Sequence, residues 1–150
     1  MLRRWSIVLL LLSLMLLAGC AATDKATGPG GSDAGFVPLF DGASLAGWEG
    51  PREMFRIEDG AIVGGTLNAD IPHNAFLCTT ETYGDFELRL QFKLLGEQAN
   101  AGVQFRSRRV QDHYEVSGYQ ADMGQQYWGC LYDESRRNRV LAGPSPEKIA

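Results

Sequence analysis

At 150 residues, with 45% hydrophobic and 10% aromatic side chains, the chain is long enough for one packed domain and too short for two. Its 14 basic residues against 18 acidic ones give a formal net charge of −4. That balance lacks the basic surface that phosphate binding needs, so nucleic acid is not an expected partner.

The chain opens with a leader. Arg3 and Arg4 precede an almost wholly apolar run from Ile7 to Leu17, and Leu17-Ala18-Gly19-Cys20 closes it with small residues before a cysteine. A run this short, flanked this way, reads as a secretory signal over residues 1–19 and not as a spanning helix. The last four residues are similar to a bacterial lipobox, which makes Cys20 the expected lipidation site and the protein an exported lipoprotein, periplasmic or at the cell surface. Loss of the leader removes two arginines and no acid, so the mature chain is more acidic still. Residues 20–35, small, polar and glycine-rich, are expected to be a flexible tether, because such a stretch buries too little surface to offset ordering.

The domain is expected over 36–150. Phe36 to Trp48 predicts a short apolar strand, a tight turn at Asp41-Gly42 and a return burying Leu45 and Trp48. Phe55 to Gly65 predicts a hairpin, since Asp59-Gly60 supports the positive backbone angles of a type I′ turn. Residues 66–75 read as a loop. Asp85 to Leu94 alternates apolar and polar side chains without exception, which predicts a strand with one face in the core and the other in water.

Three further strands are expected, at Asn100–Ser107, Tyr114–Asp122 and Trp128–Glu134. Side chains alternate along a strand, so Asn100, Gly102, Gln104 and Arg106 are expected on one face, Gln120 and Asp122 on one face, and Trp128, Tyr132 and Glu134 on one face. An arginine, amides, carboxylates and rings gathered on one sheet surface have the chemistry of a sugar-binding face. The Arg136-Arg137-Asn138-Arg139 cluster reads as a solvated turn facing nearby carboxylates. Pro144 to Glu147 reads as a helix start, with Ser145 capping and Pro146 in the first turn; the chain ends soon after, as expected of a truncated frame or fragment. Cys78 and Cys130 sit in apolar contexts and read as core thiols more readily than as a disulfide, although an exported compartment permits one. His73 and His113 have no Cys or His cluster around them, so no metal site is expected.

Many short antiparallel strands with little helix predict an all-β, two-sheet jelly-roll sandwich, incomplete at its C-terminus. Leu39-Phe40-Asp41-Gly42, Tyr83 to Leu88, Asn100 to Arg106, Gly118 to Asp122 and Gly129 to Asp133 together resemble the 3-keto-disaccharide hydrolase family, a concanavalin A-like jelly-roll domain. The resemblance implies a hydrolase or lyase acting on 3-keto-glycosides. The ketone acidifies the C2 hydrogen, so a base removes it, the enolate expels the C1 substituent, and water adds later.

In that scheme Asp122 is the expected base, with Glu134 and His113 behind it, and Arg106 is expected to bind the carbonyl or enolate oxygen. Asn100, Gln104, Tyr119, Gln120, Trp128 and Tyr132 are expected to contact the sugar. Each has a plainer alternative. Asp122 could cap amides before Gly124, Arg106 could pair with Glu87 or Glu115, and the rings could belong to the core. No cofactor is expected; a lectin-like sandwich can hold calcium, but no spacing here marks such a site. The rival function is a non-catalytic, lectin-like carbohydrate-binding module.

Overall fold

A computed structural model of the protein describes residues 7–8 and 35–148. Cys20, the stretch expected as a tether up to residue 34 and the one expected as a leader, apart from Ile7 and Val8, lie outside the described residues. The architecture is all-β and antiparallel, consistent with the expected jelly-roll sandwich, and among the described residues helix is confined to 3-10 turns at Gln125–Tyr127 and Pro146–Lys148.

The strands, in chain order, are β1 (Ile7–Val8), β2 (Trp48–Glu49), β3 (Phe55–Glu58), β4 (Ala61–Gly64), β5 (Cys78–Thr79), β6 (Ala101–Arg109), β7 (Val116–Met123), β8 (Leu131–Glu134) and β9 (Val140–Ala142). One sheet runs β1-β4-β3, a two-stranded ladder joins β2 to β5, and the largest sheet runs β6-β7-β8-β9. Ile7 and Val8 pair with Gly64 and Val63 on the outer edge of β4.

The β3-β4 hairpin forms for the reason its sequence suggests. Asp59 and Gly60 both take positive φ, 49° and 74°, as a type I′ turn requires. That turn sets Ile57 opposite Ile62 and Phe55 opposite Gly64. Phe55, Ala61, Ile62 and Val63 are buried and form one wall of the core.

In the large sheet, β6 and β7 pair from Ala101↔Met123 to Phe105↔Tyr119, then the register shifts before Arg108↔Ser117. Arg106 sits in this bulge with φ 50°. A bulge adds a residue on one strand and turns the side chains beyond it in a new direction. The alternation that would have aligned Arg106 with Gly102 and Gln104 therefore fails at that position.

Two other expectations need correction. Asp85 to Leu94 forms no strand ladder among the described residues apart from an isolated bridge at Lys93, and Phe86, Leu88, Leu90 and Phe92 are 38 to 55% exposed. Alternation describes which side chains share a face, but a strand exists only where a neighbour accepts its backbone hydrogen bonds. The segment is held instead by side chains, with Phe92 stacked on Trp128 at 5.9 Å and the Arg89 guanidinium 4.0 Å from the Phe36 ring centre. Trp128 itself lies beyond the 3-10 turn and outside β8, which begins at Leu131. Cys78 and Cys130 are free thiols, half-buried and buried.

At the start of the domain, Asp41 organises its turn. Its Oδ1 accepts the amides of Ala43 and Ser44 at 2.8 and 2.7 Å, and its Oδ2 accepts the Ser44 hydroxyl at 2.7 Å. The Ser44 hydroxyl foremost, then these amides, hold the Asp41 carboxyl at about 2, below its ordinary 3.8. A lowered folded value means the turn is fully stabilised above the ordinary carboxylate range and loosens as pH falls through about 2. NMR titration of the Asp41 carboxyl should show this midpoint, with the Ser44 amide losing exchange protection in parallel; Asp41→Asn should remove the pH dependence.

Candidate functional site

Alternation and register place Gly102 and Gln104 of β6, Gly118, Gln120 and Asp122 of β7, and Tyr132 and Glu134 of β8 on one face of the large sheet. The sequence suggests that this face looks into solvent. Instead Gly118, Gln120 and Asp122 are buried, and the β3-β4 sheet and the 71–76 loop stand across from Gln120.

Between these layers lies a cleft of about 60 Å³, room for a few waters. Asn100, Gln120 and Glu134 line one side of it, with Asn74 at the rim and Phe55, Ile71 and Phe76 supplying an apolar wall. A few converging polar groups against an apolar wall is the usual make-up of a small-molecule site.

Asn100 and Asp122 close the floor. Asn100 is 3% exposed and Asp122 5%. The Asn100 amide nitrogen donates to Asp122 Oδ1 at 3.1 Å and to the Gly124 carbonyl at 3.4 Å, and the same Asp122 oxygen accepts the Met123 amide at 2.9 Å. Both acceptors present oxygen, so the side-chain amide cannot be turned over without setting oxygen against oxygen. Asn100 Oδ1 is buried and has no hydrogen-bond partner.

Glu134 reaches the cleft from the end of β8. Asn74 Nδ2 donates to Glu115 at 3.2 and 3.4 Å and to Glu134 Oε1 at 3.5 Å, so one amide bridges two carboxylates. Ser135 adds a 2.6 Å hydrogen bond to Glu115 Oε2. On the opposite face of the same strand Asp133, fully buried, meets Arg136 at 2.7 Å and Arg137 at 3.1 Å. These contacts fix the β8-β9 turn and with it the direction of Glu134.

The expected site residues thus divide. Asn100, Gln120 and Glu134 come together in the cleft, with Asp122 beneath Asn100. Gln104 faces the same way but donates to the Val116 carbonyl at 3.3 Å and stands outside the cleft lining. Tyr132 pairs with Gln120 across the ladder and packs edge-on against Tyr127 at 6.0 Å.

Tyr119 points to the other face, where it lies 6.0 Å from Phe105 and under the Arg136 guanidinium. A hydrogen bond from Arg136, with its charge, holds the Tyr119 hydroxyl below its usual range. Arg106 is displaced by the bulge to an exposed position, where it pairs with Asp85 at 3.2 Å rather than with Glu87 or Glu115. His113 lies tilted against Tyr114 with ring centres 4.2 Å apart and accepts the Glu115 amide. Among the described residues no group of three or more His, Cys, Asp or Glu side chains is placed to hold a metal ion.

Sequence reasoning missed Asn74 and Glu115. Asn74 follows Pro72-His73 in a stretch that reads only as loop, and Glu115 stands just before β7, where no pattern marks it.

The glycine at 102 belongs to the site by what it lacks. A Cβ there would collide with Cγ and Cδ of Gln120, well inside van der Waals contact. Comparison with protein families finds a model described as a 3-keto-alpha-glucoside-1,2-lyase-like domain matching residues 35–148. No curated protein and no solved structure matches the chain.

Gly102→Ala should destabilise the fold by roughly 1–3 kcal/mol in urea denaturation, because the Gln120 side chain must leave its place. Adding Gln120→Ala to it should restore most of that loss. A Gly102→Ala protein as stable as the wild type would mean that Gln120 does not lie across the glycine.

Proposed function

Because the chain belongs to the family of 3-keto-alpha-glucoside-1,2-lyase-like domains, we propose that it cleaves 3-keto-glycosides by eliminating the C1 substituent after proton abstraction at C2. The observation that carries this reading is the convergence of Glu134 of β8, Gln120 of β7 and Asn100, just before β6, on one cleft with an apolar wall.

Glu134 is the base. Its carboxylate takes the C2 proton, and the C–H electron pair forms an enolate across C2 and C3 with the negative charge on the ketone oxygen. The Gln120 amide donates to that oxygen. When the enolate collapses the ketone re-forms, C1 and C2 become doubly bonded, and the C1–O bond breaks with its electron pair leaving on the aglycone oxygen. That oxygen recovers a proton from the newly protonated Glu134 or from water. Addition of water across the new double bond then gives the hydrolysis product.

Asp122, the first expectation for the base, is given a positioning role here, because Asn100, which it holds, lines the cleft and Asp122 does not. Arg106 is given no role, because its side chain is 70% exposed and paired with Asp85. Two carboxylates at glycosidase spacing are not needed, since the ketone supplies the acidity that an unmodified sugar lacks. The leader ending at Cys20 supports an exported, lipid-anchored protein working at a membrane surface.

The test follows aglycone release from a 3-keto-glucoside and from the matching unoxidised glucoside. Release from the keto sugar alone is expected. Glu134→Gln should lower kcat by about 10²- to 10⁴-fold with KM little changed, and Arg106→Gln should stay within about threefold of wild type on the scale of exposed ion pairs. If Glu134→Gln turns over normally while Asp122→Asn does not, the base is Asp122. If folded protein binds the sugar but releases nothing, the domain is a carbohydrate-binding module.

A further inference from the structure

We propose that Asn100 is a hydroxyl-reading residue, held by Asp122 as a pure acceptor, so that the cleft admits the sugar by a ring O–H group and turns the ketone oxygen away from β6. This role rests on the site assigned above and determines which edge of the substrate enters it.

The orientation of one amide is decisive. Both hydrogens of Asn100 Nδ2 are directed at oxygen, one at Asp122 Oδ1 and one at the Gly124 carbonyl. Its Oδ1 is the group left over, buried and without a hydrogen-bond partner on a side chain 3% exposed. A buried acceptor without a donor is destabilising by roughly 1–3 kcal/mol, which a ligand O–H would recover.

The rest of the polar lining reinforces this demand. Asn74 already directs its amide hydrogens at Glu115 and Glu134, which are themselves acceptors. Gln120 alone among the lining side chains offers an uncommitted amide donor, and it stands on β7 opposite Gln104, further along the ladder than the end at which Asn100 lies. A ketone oxygen accepts and cannot donate, so against Asn100 Oδ1 it would meet oxygen with oxygen. A hydroxyl satisfies Asn100, and the ketone is left for Gln120. The cleft, about 60 Å³, takes the hydroxyl-bearing edge of a pyranose and not the whole ring.

Asp122 is thereby a positioning residue for specificity. Replacement by Asn would keep an oxygen against the Met123 amide and the Asn100 amide but remove the charge, so Asn100 would be held as an acceptor less firmly.

The experiment measures binding by calorimetry in the Glu134→Gln protein, so that turnover plays no part. The probes are a methyl 3-keto-glucoside and its monodeoxy and monofluoro analogues at each remaining hydroxyl-bearing carbon. At one carbon, deoxy and fluoro analogues should both bind about ten- to hundredfold more weakly, because fluorine can accept but cannot donate. Adding Asn100→Ala should abolish that discrimination and Asp122→Asn should reduce it, both leaving the ratios at other carbons intact; the reduction in Asp122→Asn provides the answer if Asn100→Ala does not fold.

Full retention of affinity by a fluoro analogue where the deoxy analogue loses it would mean that the protein donates at that position, and would overturn the proposal. So would ratios that ignore both substitutions, or a wild-type protein that binds none of the probes. Absence of turnover in the wild type, with the hydroxyl discrimination intact, would instead sink the elimination chemistry and leave this inference standing.

Discussion

The contact on which the cleft depends is the hydrogen bond from Asn100 to Asp122. Each group would be costly to bury alone, the amide by a few kcal/mol and the carboxylate by more, and each supplies what the other needs. The bond joins the residue just before β6 to the end of β7, where Gly102 faces Asp122. It therefore sets the register of the strand pair and the direction of an amide in one arrangement. Everything further along the cleft, from Gln120 lying over Gly102 to the reach of Glu134, is built outward from that corner.

A second buried carboxylate serves the fold differently. Asp133 and Glu134 are neighbours in sequence and therefore on opposite faces of β8. Asp133 is fully buried and paired with Arg136 and Arg137, whose side chains are 40% and 53% exposed. Such half-solvated pairs add modest stability, but here they close the turn after Glu134. Ser135, the first residue of that turn, reaches back to Glu115, which shares Asn74 with Glu134. One residue is locked behind the sheet so that the next can be presented in front of it.

Much of this is legible in the sequence where the chemistry is local. Asp59-Gly60 specifies its own turn, Asp41 its own cap, and the run from Gly118 to Asp122 puts Gln120 and Asp122 on a common face by simple alternation. Legibility fails where the outcome depends on a partner strand or on packing layers. The bulge at Arg106 cannot be read from Phe105-Arg106-Ser107, since nothing in those residues demands a positive φ. Tyr119 shows the cost of treating rings as a class, because parity alone separates it from Gln120. The cleft could not be foreseen, because its opposite wall comes from β3, β4 and the 71–76 loop, which lie far away along the chain. Asn74 enters the site by the same long-range route.

The segment from Asp85 to Leu94 has a consequence for handling the molecule. Four large apolar side chains in an extended, alternating stretch, each more than a third exposed, are the pattern from which intermolecular sheets start. Glu87, Arg89 and Lys93 interrupt it as charged gatekeepers, and the first two neutralise each other through a 2.8 Å ion pair. Colloidal behaviour in concentrated solution is thus poised on a few charges in one short segment. High salt, which screens them while strengthening apolar association, is the condition under which this protein is most prone to self-associate and precipitate.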